Sequence, residues 1–243
     1  MDNTPGEHDD RQTQDAIGKA ELRLMNSRGR ELLLKYWDFP LFASSLGRHG
    51  ISLDDRHILD AGCGSGYTLE LITERFHPGR LAAFDLVPLQ VELARARNAN
   101  ATVFVADITS LELPAQSFDA VFVCGVLHHC REWRRGLASV ARVLKHGGVL
   151  LLEEPGTAHL RFERVLTGHS PSLDAGFSLK ALRIEMSRAG LAVLEQRPLY
   201  FGLFASFLCV KGMEDMVPHH IVARERLRAR DARSLPAGQE VPA

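Results

Sequence analysis

The sequence predicts an α/β fold built on a doubly wound, mostly parallel sheet, and three observations carry that prediction. Short, largely apolar runs recur at 58–59, 80–84, 102–105, 120–124 and 149–152, with stretches of helical periodicity between them. Runs without polar alternation are what strands look like when helices cover both faces of a sheet, and strand–helix alternation implies parallel strands joined by right-handed crossovers. A glycine-rich turn, Asp60-Ala61-Gly62-Cys63-Gly64-Ser65-Gly66, separates the first such run from a helix opening at Tyr67. Finally, Asp60, Gly64, Asp85, Asp107, His128 and Glu154 all fall at carboxyl ends of predicted strands, where sheets of this kind bind ligands.

Composition sets the frame. A chain of 243 residues is expected to form one domain with a sizeable core, with room for a small lobe. The formal net charge of −1 gives no global attraction to nucleic acid or anionic membrane. No apolar run approaches the roughly 18 residues of a spanning helix, and the polar, acidic start fits neither a secretory nor a transit pattern, so the cytoplasm is expected. Four cysteines without a C-x-x-C pair argue against a disulfide framework or zinc knuckle. His128-His129-Cys130 and His219-His220 are adjacent residues rather than spaced ligands, so no metal is expected.

In order along the chain, 1–15 reads as disordered and 16–50 as a helical extension, with Leu22, Met25, Leu32, Leu33 and Tyr36 as its apolar positions and a break near Pro40. Its aromatic cluster Tyr36-Trp37-Phe39 can cover a ligand site or cap the sheet edge. The domain proper runs over 51–212. After the glycine turn and its helix come a strand at 80–84 ending at Asp85, a helix over 88–98 with proline in its first turn, and a strand at 102–105 ending at Asp107. A strand at 120–124 leads into Gly125-Val126-Leu127-His128-His129. A helix over 132–145 is ended by His146-Gly147-Gly148, and a strand at 149–152 leads to Glu153-Glu154. The stretch 157–177 reads as irregular. Ser178 is an N-cap candidate for a helix over 178–189, and 191–198 and 203–211 read as the last two strands. The tail, 213–243, is polar, with arginines at 224, 226, 228, 230 and 233 that fit a solvated helix or a polyanion-binding segment.

The glycine turn is the most informative stretch. A strand, a tight turn and a helix N-terminus expose unpaired amides and partial positive charge to a polar ligand. The third glycine comes one residue too early for the dinucleotide fingerprint G-x-G-x-x-G, which disfavours a nicotinamide-dependent oxidoreductase. A carboxylate placed like Asp85, at the tip of the next strand, can accept both hydroxyls of a ribose, or be a solvated loop residue. Leu86 beside it can pack on a purine face.

From Leu59 to Gly66, and again at "LPAQSFD" (113–119), "VLHH" (126–129) and "LKHGGVLLLEE" (144–154), the chain resembles the class I S-adenosylmethionine (SAM) dependent methyltransferases, in particular the small-molecule branch similar to enzymes of ubiquinone and menaquinone biosynthesis. The resemblance covers about 58–154. It implies a Rossmann-like seven-stranded sheet whose last strand is antiparallel and lies between the fifth and sixth. It also implies SAM as cofactor, S-adenosylhomocysteine as product, and a site in which Asp60, Gly62, Cys63, Gly64 and Gly66 hold the methionine end. Asp85 and Leu86 would meet the ribose and adenine, Asp107 and Ile108 the adenine edge, and Cys124 and Gly125 the methyl side.

The resemblance implies transfer of a methyl group to an O, N or C nucleophile of a small molecule. Such transfer is an in-line displacement that needs alignment at about 3–3.5 Å and exclusion of water. An acidic nucleophile also needs a base near neutrality, and His128 and His129 are the candidates. Tyr36, Trp37, His128 and Glu154 are candidates for contact with the substrate. No Pro-Cys dipeptide is present and no Pro-Pro-aromatic tetrapeptide follows the fourth strand, so nucleic-acid substrates are disfavoured. Methylation of a protein or RNA, and SAM binding without transfer, stay open as alternatives, as does a homodimer.

Overall fold

The computed structural model describes residues 27–167 and 175–212, so the expected disordered start, the start of the extension and the arginine-containing tail lie outside the described residues. Seven strands form one sheet in the order β3-β2-β1-β4-β5-β7-β6. They are β1 (His57–Ala61), β2 (Arg80–Asp85), β3 (Thr102–Val105), β4 (Phe118–Cys124), β5 (Leu144–Pro155), β6 (Leu191–Leu199) and β7 (Phe204–Lys211). The first five are parallel, and β7 runs antiparallel between β5 and β6. This is the architecture expected from the sequence.

Helices α1 (Arg28–Leu33), α2 (Phe39–Arg48), α3 (Tyr67–Phe76), α4 (Pro88–Arg97), α5 (Trp133–Val143), α6 (Thr157–Thr167) and α7 (Leu179–Arg188) surround the sheet. Strand alternation divides the core into two layers. On β4, Phe122 points to one face, where it stacks on Phe39 of α2 at 5.8 Å and meets Phe76 of α3 at 5.4 Å. Val121 and Val123 point to the other, into the cluster formed with Leu137, Val140 and Leu182 of α5 and α7. No helix among the described residues is long and apolar enough to cross a membrane.

Four expectations need correction. The extension does not break at Pro40. Residues Leu34–Asp38 widen into a π-helical segment that joins α1 to α2, and in that register the Phe39 amide bonds to the Leu34 carbonyl. A residue-40 amide would take the Lys35 carbonyl; proline has no such amide, and the Arg75 guanidinium donates to that carbonyl instead, at 3.2 Å. The wider turn also shifts the helix phase. Leu32, Leu33 and Tyr36 are exposed, and the buried face is Leu34, Phe39, Phe42 and Leu46.

His146-Gly147-Gly148 does not sit between a helix and a strand but within β5, as a bulge. Phe118 pairs with Leu144 and Ala120 with Val149, so β5 spends five residues where β4 spends two. The stretch 157–177 is not irregular throughout, because it begins with α6, which buries Leu160. The fourth correction concerns Glu154 and belongs to the site. Ser178 is the N-cap of α7, its hydroxyl accepting from the Ala181 amide.

Candidate functional site

The glycine turn is fastened to the tip of β2. The amides of Gly62 and Cys63 both donate to the Phe84 carbonyl, at 2.8 and 3.0 Å, and the Gly64 amide donates to Asp85 Oδ2 at 2.9 Å. Gly62, Gly64 and Gly66 all take positive φ, at 79°, 53° and 88°, a region costly for residues with a Cβ. Two of them are also packing necessities. A Cβ on Gly62 would stand 2.5 Å from a Val126 methyl, and one on Gly66 would stand 2.7 Å from the Ala94 backbone of α4.

Asp60 ends up almost completely buried. Its Oδ2 accepts a short hydrogen bond from the Thr68 hydroxyl, whereas Oδ1 is buried with no partner. Burial raises its pKa to about 7, partly opposed by Thr68 and reinforced by the nearby Asp85 carboxylate. An unpaired buried carboxylate oxygen is costly. It fits the ammonium of an amino-acid ligand, which would satisfy the oxygen and supply the missing positive charge.

Asp85 accepts from the Val87 amide through Oδ1 and from Gly64 through Oδ2. Each oxygen retains a second acceptor site for a ribose hydroxyl. Burial raises its pKa, against the pull of the amide hydrogen bonds. Leu86 beside it is exposed and Ile108 is buried. Asp107 Oδ1 accepts from the Thr109 amide at 2.7 Å and from its hydroxyl, capping the short turn Ile108–Ser110. The Ala106 amide donates to the Asp85 carbonyl and ties the tips of β2 and β3 together. Burial raises the pKa of Cys63, Cys124 and Cys130, which disfavours reactive thiolates at any of the three.

At the end of β4 the structure departs from the expectation that Glu154 meets a substrate. Its carboxylate is fully buried. It accepts from three consecutive amides, Val126 at 3.1 Å, Leu127 at 2.7 Å and His128 at 3.3 Å. Its Oε2 also lies 2.8 Å from His128 Nδ1. Burial raises the pKa to about 7, and the amides, with His129, pull it back. Glu154 therefore shapes the loop that carries His128 rather than touching a ligand. With the carboxylate ionised, a proton on Nδ1 would be held toward Glu154. The His129 ring lies 3.8 Å from that of His128.

Sequence reasoning missed the neighbouring network. Arg30 of α1 reaches across to Glu153, at 2.5 Å, and to Asp38, at 3.3 Å. The Tyr200 hydroxyl lies 2.6 and 2.7 Å from the two Asp38 oxygens and donates to that carboxylate. Asp38 and Glu153 are fully buried. Burial opposes charge on Arg30, but the two carboxylates hold its pKa above the ordinary value. Burial and then Glu153 raise that of Asp38, against Arg30 and Tyr200. A Cβ on Gly125 would stand 3.6 Å from both Arg30 Nη2 and Glu153 Oε2 and 3.8 Å from His128 Cε1. Arg30, Glu153 and His128 thus converge on the residue expected at the methyl side. Of the other substrate candidates, Trp37 stands with its ring 6.4 Å from Tyr200, and Tyr36 lies near Tyr67; both are exposed.

A cavity of about 400 Å³ opens at the opposite end of the sheet, lined by residues such as Arg56, Arg80 and Lys145. Its Lys145 and Asp119 pair at 2.8 Å, and no residue singled out above lines it. Among the described residues, no group of three or more His, Cys, Asp or Glu side chains could hold a metal ion.

Comparison with known proteins agrees with this geometry. Residues 59–152 match the family model described as methyltransferase domain. The chain is 36% identical over 102 residues to a malonyl-[acyl-carrier protein] O-methyltransferase of Serratia marcescens, covering 42% of this chain and 39% of that one. It is 31% identical over 100 residues to 2-methyl-6-phytyl-1,4-hydroquinone methyltransferase 2, chloroplastic, of Oryza sativa subsp. japonica, covering 40% and 29%. The chain thus spans well under half the length of these two relatives. Among solved structures, the complex of the Haloferax volcanii Trm112 methyltransferase activator with a methyltransferase supplies a chain that superposes with a TM-score of 0.63 at 21% identity, over 78% of this chain and 97% of that one. Residues 59–152 thus resemble a methyltransferase domain, and the sheet that carries them has the fold of that solved chain.

Proposed function

We propose that the protein is a SAM-dependent methyltransferase that methylates an O, N or C nucleophile of a small molecule. The observation that carries this reading is Asp60 Oδ1, buried without a partner beside a left-handed glycine turn. A cationic amino-acid group is the ligand that such an oxygen lacks. SAM, when bound, supplies a methyl group on sulfonium and so an electrophile that needs no further activation.

Asp60 would take its ammonium, Gly62 to Gly66 would pass beneath its methionine part, and Asp85 its ribose hydroxyls. Leu86, Asp107 and Ile108 would border the adenine. His128 would accept the proton of the nucleophile at Nε2, with Glu154 keeping the Nδ1 proton in place. Arg30, Asp38 and Tyr200 would close the methyl side against water, which favours displacement by the intended nucleophile. One relative's name gives a malonyl group on an acyl-carrier protein and the other's a hydroquinone, which supports an acceptor group that is not a nucleic-acid base.

The test is calorimetric titration of the full chain with SAM, S-adenosylhomocysteine and NADH in parallel. Binding of the two sulfur nucleosides but not NADH is expected. Binding of NADH alone, or of none of the three, would overturn the reading.

A further inference from the structure

The cavity at the amino ends of the strands is built where four of them begin side by side. His57 opens β1 and pairs with Arg80, which opens β2. Ile58 pairs with Ala120 near the start of β4, and Phe118 with Leu144 at the start of β5. This register brings Arg80, His57, Asp119 and Lys145, with Arg56 just before β1, around a space of about 400 Å³, a volume sufficient for a small ligand. Gly79 leaves room for the Asp55 carboxylate on the same wall, since a Cβ there would collide with Asp55 Oδ1.

The charges around this space are unequally matched. Asp119 is engaged through both oxygens: Oδ1 pairs with Lys145 Nζ at 2.8 Å, and Oδ2 accepts from the His57 amide at 2.9 Å. Neither guanidinium, of Arg56 or of Arg80, forms an ion pair or hydrogen bond with another group among the described residues. The His57 ring is fixed by Nδ1, 2.9 Å from the Ser117 carbonyl, and by the Phe118 ring at 4.3 Å. Burial lowers its pKa. The Ser117 carbonyl and Asp119 oppose the fall, and Arg80 and Lys145 deepen it. Cations gathered from three separate segments of the chain repel one another unless an anion joins them.

We propose that the cavity is a second ligand site, at the end of the sheet away from the glycine turn, which takes a phosphate group of a small molecule between Arg56, Arg80 and Lys145. A guanidinium meets phosphate through two parallel hydrogen bonds, and lysine adds a point charge. Tetrahedral phosphate presents oxygens in several directions, as donors from three segments require, whereas a carboxylate presents two in one plane. With Nδ1 held to Ser117, His57 Nε2 becomes a further donor once the anion offsets the neighbouring cations. Asp55 and Asp119 balance two of the three cations, so the site suits one compact phosphate ligand rather than a polyanion strand. The inference does not depend on the methyltransferase reading.

The test is calorimetric titration of the full chain, at pH 7 and constant ionic strength, with inorganic pyrophosphate and separately with glycerol 3-phosphate. Saturable binding of at least one is expected, and the tighter of the two tells a free oxyanion from a phosphate ester. Arg56→Gln and Arg80→Gln should each weaken binding about tenfold or more, the size of a charge-assisted hydrogen bond. Both residues are exposed, so the thermal midpoint should not move. Arg188→Gln removes the same charge from α7, outside the cavity, and should leave the affinity unchanged. Saturating pyrophosphate should also raise the pKa of the His57 resonance in proton NMR, identified by its loss in His57→Gln.

No binding of either probe, binding undiminished by Arg56→Gln and Arg80→Gln, equal weakening by Arg188→Gln, or an unmoved His57 titration would overturn the inference. Equally tight binding of succinate would overturn the choice of phosphate. Arg80-dependent binding of single-stranded DNA, with no response to either small phosphate, would make the cavity a nucleic-acid contact and would overturn it too.

Discussion

The two halves of the site are built in opposite ways. The cofactor half is local. Asp60, three glycines and Asp85 come from two neighbouring strands and the turn between one of them and α3, and backbone amides supply most of its hydrogen bonds. The half around Gly125 is assembled from distant parts. Arg30 and Glu153 are 123 residues apart, and Asp38 and Tyr200 are 162 apart. Its hydrogen bonds run between side chains, several of them buried. The first half keeps an unsatisfied oxygen and so holds binding energy in reserve. The second half pairs its polar groups with one another and so ties the N-terminal helices to the sheet. Substitutions in the first half should therefore change ligand affinity, and those in the second should change stability.

The largest effect is expected at Glu153. Glu153→Leu leaves Arg30 without its closest partner, and losing one partner of a buried ion pair costs about 3–5 kcal/mol. Because the Arg30 side chain is 21% exposed, water recovers part of this, and about 2–3 kcal/mol is expected. Denaturant unfolding measures it. A loss under about 0.5 kcal/mol, within the range of a surface substitution, would break the comparison. Next is His128→Ala, which should lower turnover on an identified acceptor by about a hundredfold if Nε2 is the base. Glu154→Gln should shift the pH–rate profile while SAM affinity stays unchanged. An unaltered profile would leave Glu154 a purely structural role.

Gly66→Ala combines a positive φ with a 2.7 Å approach to the Ala94 backbone. A cost of about 1–3 kcal/mol is expected from overpacking alone, measurable by thermal unfolding. It is the exception that sharpens the contrast, because the turn is rigid for packing reasons as well as for its ligand.

The strands and the glycine turn were legible because each depends on neighbours in sequence: apolar runs for β1 to β5, a glycine turn before α3, and a serine cap before α7. The π-helical segment was not, because apolar spacing reads phase only where the helix is regular, and the compensating partner of the Lys35 carbonyl is Arg75, on another helix. Helix α6 buries Leu160 but exposes Phe162 and Val165, so its apolar positions do not all mark the face that packs. The strand end that carries Glu154 follows from the sequence, whereas its contacts with the loop after β4 do not. A carboxylate following a fully buried Leu-Leu-Leu run must find donors, and the amides of the adjacent His128 loop are the nearest. The Arg30–Asp38–Glu153–Tyr200 network has no linear signature, since each member is an ordinary polar residue until the fold brings them together.

The central claim is that Asp60 Oδ1 awaits a cation. Burial raises the Asp60 pKa from its ordinary value to about 7, so its charge lowers ligand-free stability as pH rises from about 4 through about 7, and the penalty is complete above that. Asp60→Asn should therefore leave the ligand-free protein as stable as wild type or more so at pH 8, while weakening SAM binding. The most direct measurement is calorimetry of SAM binding at pH 6.5 in buffers of different ionisation enthalpy. The account predicts release of a substantial fraction of a proton on binding, absent in Asp60→Asn. Binding with no proton release in wild type, or undiminished affinity in Asp60→Asn, would contradict it.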